Sequence, residues 1–145
     1  HRKLKCFRKG GSYDRNSFYA QGGVALAINE EDIPLHVKDT LDAGAGLCDE
    51  EAVKVLSQNS KAIIDDLIAR GFEFDKDKEG NLLYTKEAAH SKERILHAGG
   101  DATGRYMHYF LLQQNPHPML TDARVVDLLI KDGECYGVTV LDQDR

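Results

Sequence analysis

Apolar positions recur along this chain in two rhythms. Ile33, Val37, Thr40 and Leu41 fall on one face at helical spacing, with His36, Lys38 and Asp39 largely off it. The acids Glu30, Glu31 and Asp32 precede that face and Gly44-Ala45-Gly46 follows it, so a helix is predicted between them, with His36 at its surface or boundary. Val53, Leu56, Ile63, Ile64, Leu67 and Ile68 form a broader stripe, opened by Asp49 as N-cap and stopped by Gly71. A third apolar and aromatic run, Tyr106 to about Gln114, is closed by Pro116 and Pro118 and suits a helix packed on a sheet. Elsewhere the period is two. Leu4 to Arg8 reads as a short strand ending at glycine, and Leu96-His97-Ala98 as another. Phe72-Glu73-Phe74 and Leu82 to Thr85 read as a hairpin around a charged loop. Val125–Ile130 and Cys135–Leu141 flank Asp132-Gly133, a strong short-range hairpin signal. The sum is a mixed α/β (α+β) chain with a helix pair and a small antiparallel meander.

Composition narrows the field by exclusion. With 145 residues, 41% of them hydrophobic and 30% charged, the chain has the makeup of one globular domain. A formal net charge of -5 offers no basic footprint for nucleic acid. No apolar run approaches the roughly 18 residues that cross a bilayer. Cys6, Cys48 and Cys135 are far apart and in no metal spacing, and read as reduced, half-buried residues of a cytoplasmic protein. The chain starts at His1 without methionine and ends at Arg145 in a polar run, so both ends are expected to have been cut from something longer.

Candidate chemistry gathers in two stretches. The first is Asn16-Ser17-Phe18-Tyr19-Ala20-Gln21-Gly22-Gly23. Paired glycines permit positive φ and close approach of main chain to something flat or charged, and neighbouring N–H groups can converge on an anion. The bland alternative is a turn leading into the apolar run that follows. The second is Glu87-Ala88-Ala89-His90-Ser91, a basic stretch, Arg94-Ile95-Leu96-His97-Ala98, then Gly99-Gly100-Asp101-Ala102-Thr103-Gly104. There Glu87 by itself is a surface glutamate, His97 a satisfied structural histidine, and Asp101 a helix N-cap.

Together these stretches resemble the fumarate reductase, succinate dehydrogenase and L-aspartate oxidase superfamily. Its flavin-embracing loop has the pattern Ser/Thr-x-x-Ala-x-Gly-Gly, matched by Ser17, Ala20, Gly22 and Gly23; the fuller run Ser17 to Gly23 is similar to the L-aspartate oxidases. Many respiratory members carry a covalently bonded histidine where Asn16 stands, so the resemblance implies non-covalent FAD. It makes Lys9, at the end of the first strand, either a cofactor contact or a solvated basic end. It matches Glu87 to the glutamate that orients the amino-acid substrate, with His90 and Ser91 on the same floor. Two departures stand out: the family's glycine pair is Ala88-Ala89 here, and Gly99-Gly100 lengthens the link to Asp101 by one residue.

The resemblance covers roughly residues 1 to 141 and implies a segment of a Rossmann-like FAD/NAD(P)-binding flavoprotein domain. No Gly-x-Gly-x-x-Gly follows a strand anywhere in the sequence. Residues 1–145 are therefore expected to be a partial FAD-binding domain without its N-terminal glycine-rich unit and without the capping domain, where the family keeps its catalytic arginine. The implied activity is oxidation of L-aspartate to iminoaspartate in de novo NAD synthesis, with FAD passing electrons to oxygen or fumarate. The isolated segment is expected to be catalytically silent, to hold FAD weakly or not at all, and to be open to self-association. A fumarate reductase or succinate dehydrogenase segment, or a non-catalytic interaction module, are the alternatives.

Overall fold

Two helices and one small sheet enclose the core. The computed structural model describes residues 6, 7, 9 and 16–142. Strand β1 (Cys6–Phe7) pairs in parallel with β5 (Met119–Leu120). Strand β4 (Ile95–Leu96) runs between β2 (Val24–Ala25) and β3 (Tyr84–Thr85), antiparallel to both. Helices α1 (Ile33–Ala43) and α2 (Glu50–Ala69) form the expected pair, and α3 (Thr103–Gln114) follows β4. The hairpin of β6 (Ala123–Lys131) and β7 (Glu134–Asp142) turns at Asp132-Gly133, both residues having positive φ as such a turn requires. The first predicted strand extends beyond the described residues, of which only Cys6 and Phe7 are assigned to it.

The main buried cluster joins Leu26, Ile64, Leu67, Phe72, Phe74, Leu96 and Ala98, with Phe110 of α3 against it. Helix α2 starts where its N-cap was expected, the Asp49 carboxylate accepting from the Ala52 N–H at 3.0 Å. Its inner face differs from the predicted stripe: Val53, Ser57, Ser60, Ile64 and Leu67 are buried, while Leu56 and Ile63 are more than half exposed. Ser60 lies inward because the backbone beyond β2 is buried without a ladder partner at Ala27. The Ala27 N–H donates to Ser60 Oγ at 2.9 Å, and that hydroxyl donates to Ser57 O at 2.8 Å.

Three further expectations are corrected. Phe72 and Phe74 enter the core as an edge-to-face pair 4.7 Å apart rather than as a strand of a hairpin. Leu82 to Thr85 keeps one bridge, Lys76 to Leu82, but its strand partner is β4. Cys135 is exposed; Cys6 and Cys48 are half-buried as expected, and all three are free.

Helix α1 departs most. His36 and Asp39 are its buried residues, not the apolar set, and with Asp32 they make an inward face at helical spacing. Arg94, fully buried, explains it: Nη2 meets Asp32 Oδ1 at 2.8 Å and Nη1 meets Asp39 Oδ2 at 2.6 Å. Burial alone would raise the Asp39 pKa. Hydrogen bonds from the Ser91 N–H and hydroxyl and from Arg94 overcome it and hold the carboxyl at about 2. Burial, then the Arg94 charge, keeps His36 below the ordinary histidine value. This cluster clamps residues 91–94 to α1 and so fixes the start of β4.

Candidate functional site: a cleft between the glycine loop and Glu87

The segment Asn16–Gly23 is held at both ends. Its first half is a turn, with the Tyr19 N–H donating to Asn16 O at 3.2 Å. Phe18 packs edge-on against His108 and Tyr109, and the Arg105 guanidinium lies 5.5 Å from its ring centre. The turn rests on the first turn of α3: Gly104 N–H donates to Ala20 O at 3.0 Å, and a Cβ on Gly104 would stand 2.0 Å from Ser17 O. At the other end, a Cβ on Gly23 would meet Ile95 Cγ2 at 2.3 Å and Leu96 O at 2.6 Å. Gly23 therefore serves close approach to β4. Neither Gly22 nor Gly23 has positive φ, so contrary to expectation the pair does not serve a left-handed backbone.

Gly22 is a different case. A Cβ there would find nothing within 4 Å. Neither its backbone angle nor a described neighbour demands glycine, yet it faces a cleft of about 550 Å³ lined by Gln21, Gly22, Thr85, Glu87, His97 and Asp101 among others. A missing side chain at a cleft wall suits a flat group laid against main chain. Phe18, Tyr19, Ala20 and Gln21 line an adjoining hollow of about 310 Å³ with Asp101, Ala102 and Arg105. Gln21 and Asp101 stand between the two, joined by a 3.3 Å hydrogen bond. Lys9 is exposed and is not among the residues lining either space.

Glu87 enters the cleft from a tight turn closed by the His90 N–H on Glu87 O at 3.2 Å. Ala88, standing where the family has glycine, is held at φ 50°, the left-handed region that glycine occupies without strain. Glu87 Oε1 lies 2.9 Å from His97 Nε2, which is also 3.1 Å from Thr85 Oγ1. The extra glycine has a clear local role. Gly99 and Gly100, both at positive φ, donate their N–H groups to the two oxygens of Asp75 at 2.9 Å each. That nest turns the chain so that Asp101 reaches the cleft. Asp101 is not the N-cap of α3; Ala102 is, without a side-chain bond, and Thr103 Oγ1 accepts instead from the Ala98 N–H at 3.1 Å.

His90 and Ser91 are not on the floor of this cleft. Ser91 turns to Asp39, and the His90 ring lies 5.8 Å from that of His36. His97, which the sequence presents as a structural histidine, is in the cleft wall. The period-two pattern carried the signal: Leu96 and Ala98 are both fully buried, which sends His97 to the opposite side. Among the cleft's lining residues are three carboxylates, Asp75, Glu87 and Asp101, and no lysine or arginine. Such a wall favours an ammonium group over a carboxylate. Among the described residues, no group of three or more His, Cys, Asp or Glu is arranged for a metal ion, and no helix is long and apolar enough to cross a membrane.

The FAD-binding domain family matches residues 2–145. The chain belongs to that family. Curated relatives include the L-aspartate oxidases of Bacillus subtilis, 42% identical over 130 residues, and Clostridium acetobutylicum, 38% identical over 143 residues. These alignments take in 88% and 96% of this chain but 24% and 33% of those proteins, so the chain spans a quarter to a third of their length. Among solved structures, a quinol fumarate reductase chain of E. coli superposes with a TM-score of 0.85 at 23% identity, over 97% of this chain and 25% of that one. The Mycobacterium smegmatis Sdh1 complex in its apo form gives 0.83 at 22%, over 95% and 26%. The resemblance to L-aspartate oxidases and the flavoprotein fold are thus both borne out.

Proposed function

We propose that this chain forms the flavin-facing and ammonium-binding wall of an FAD-dependent L-aspartate oxidase. The observation that carries this reading is the shared cleft: Gln21 and Gly22 of the loop and Glu87 line one space. The likeness to L-aspartate oxidases supplies the substrate and the cofactor. Bound FAD supplies the two-electron acceptor; every other role falls to side chains and backbone. Gly22 leaves the wall flat. Glu87 takes the substrate ammonium through a charge-assisted hydrogen bond, and Asp75 and Asp101 add negative field. Ligands for the substrate carboxylates come from other parts of the site, since the residues lining this cleft include no lysine or arginine. Asn16 leaves the flavin without a covalent tether. The product is iminoaspartate, the electrons pass to oxygen or fumarate, and the setting is cytoplasmic NAD synthesis.

The 145-residue chain alone is expected to bind FAD weakly and to turn over no L-aspartate; a yellow preparation active on L-aspartate contradicts that. The full reading is tested by placing this chain in the Bacillus subtilis enzyme in place of the matching quarter. Glu87→Gln in that chimera is expected to lower kcat/KM for L-aspartate about ten- to a hundredfold, the worth of a hydrogen bond to a charged group. An unchanged kcat/KM removes Glu87 from substrate binding. A second reading, a non-catalytic interaction module, draws on the exposed apolar side chains of α2 (Val55, Leu56, Ile63) and of β6 (Val126, Leu128, Ile130). Self-association without any FAD affinity would favour it.

A further inference from the structure

We infer that His97 is the positioning residue that sets Glu87 for ammonium recognition, an inference that rests on the reading of Glu87 above. His97 meets the glycine loop, Thr85 of β3 and Glu87 at once. Its ring lies against the loop: a Cβ on Gly23 would be 3.0 Å from His97 Cε1, so the ring fills space that any side chain at 23 would claim. Its Nε2 faces two oxygens, Glu87 Oε1 at 2.9 Å and Thr85 Oγ1 at 3.1 Å. The Thr85 hydroxyl donates to Ile95 O at 3.4 Å, which leaves Thr85 Oγ1 to accept. Both neighbours of Nε2 are then acceptors, and the tautomer they require carries the proton on Nε2. His97 thus occupies Oε1 and leaves Oε2 of this cleft-lining residue to accept from an α-ammonium. The side chain of Glu87 is 49% exposed and that of His97 15%, so His97 is the more fixed of the two and sets the carboxylate's rotamer. The substrate class this arrangement selects is an α-amino acid; a dicarboxylate lacking the ammonium gains nothing from it.

The first test uses the ¹⁵N-labelled 145-residue chain. Long-range ¹H–¹⁵N spectra are expected to show His97 protonated at Nε2, with that resonance displaced in Glu87→Gln. A proton on Nδ1 alone, or an Nε2 resonance indifferent to Glu87→Gln, overturns the inference. The second uses the chimera. His97→Ala is expected to raise KM for L-aspartate about tenfold with kcat changed less. Inhibition by succinate should stay within about twofold, and His97→Gln, which keeps a donor near Nε2, should recover most of the loss. In a Glu87→Gln background His97→Ala should add nothing. If Glu87→Gln raises KM and His97→Ala does not, this inference alone falls. If neither does, the reading of Glu87 has failed first.

Discussion

Replacing Arg94 by methionine is expected to unfold the domain or bring it to the edge of unfolding. The change leaves Asp39 without its cation and Asp32 with only the half-exposed Lys92 ammonium, 3.9 Å away. Removing one partner of a buried ion pair costs about 3–5 kcal/mol, against a total of about 5–15 kcal/mol for a domain of ordinary stability. Arg94→Lys should fall between the two, because a single nitrogen cannot stand at both the Nη1 and Nη2 positions that meet Asp39 and Asp32. Urea unfolding followed by circular dichroism measures the order. Acid tells the same story. Asp39 has a folded pKa of about 2, below its unfolded value of 3.8. Its contribution, on the order of 2 kcal/mol, is present above the unfolded value and is lost as pH falls toward the folded one. In Arg94→Met the Asp39 pKa rises, so the acid transition should move to higher pH. An Arg94→Met protein as stable as the parent would mean that this cluster does not hold β4.

The glycines of the loop should separate fold from ligand. Gly104→Ala puts a methyl 2.0 Å from Ser17 O and 2.8 Å from Ala20 O, so the 16–20 turn must lift off α3. A loss of FAD affinity beyond tenfold is expected, together with a stability loss of about 1–3 kcal/mol from overpacking. Gly22→Ala is the sharper test. With ordinary backbone and open space around it, the added methyl should change stability by no more than about 0.5 kcal/mol. If the flavin lies against Gly22, the same methyl should weaken FAD binding markedly. Equal FAD affinity in Gly22→Ala and parent would take the flavin away from this wall.

The helices and the final hairpin were legible because their signals are local. Asp49, the inward Ile64 and Leu67, and Asp132-Gly133 need only neighbours a few residues away. What sequence hid depends on distant partners. Strands β2 and β5 are two residues each and exist only because β4 and β1 lie beside them. The inward face of α1 reads as polar and therefore as outer, and only Arg94, far along the chain, makes Asp32 and Asp39 internal. The same cluster drew Ser91 away from the cleft. Of the residues lining the candidate cleft, the motifs point to Gln21, Gly22 and Glu87; His97 reads as packing, although the alternation of Leu96 and Ala98 already turns it outward. Asp75 offered no local sign of the role it plays under Gly99 and Gly100.

The most direct measurement is a shift map of the ¹⁵N-labelled chain titrated with millimolar FAD, a concentration that reveals weak binding. Amides of Gln21, Gly22, Gly23, Glu87, His97 and Asp101 should move together and saturate along one curve, while Val55 and Ile63 on the outer side of α2 stay still. Movement confined to α2 or the β6–β7 hairpin, with Gly22 and Glu87 unmoved at saturation, would contradict the placement of the flavin in this cleft.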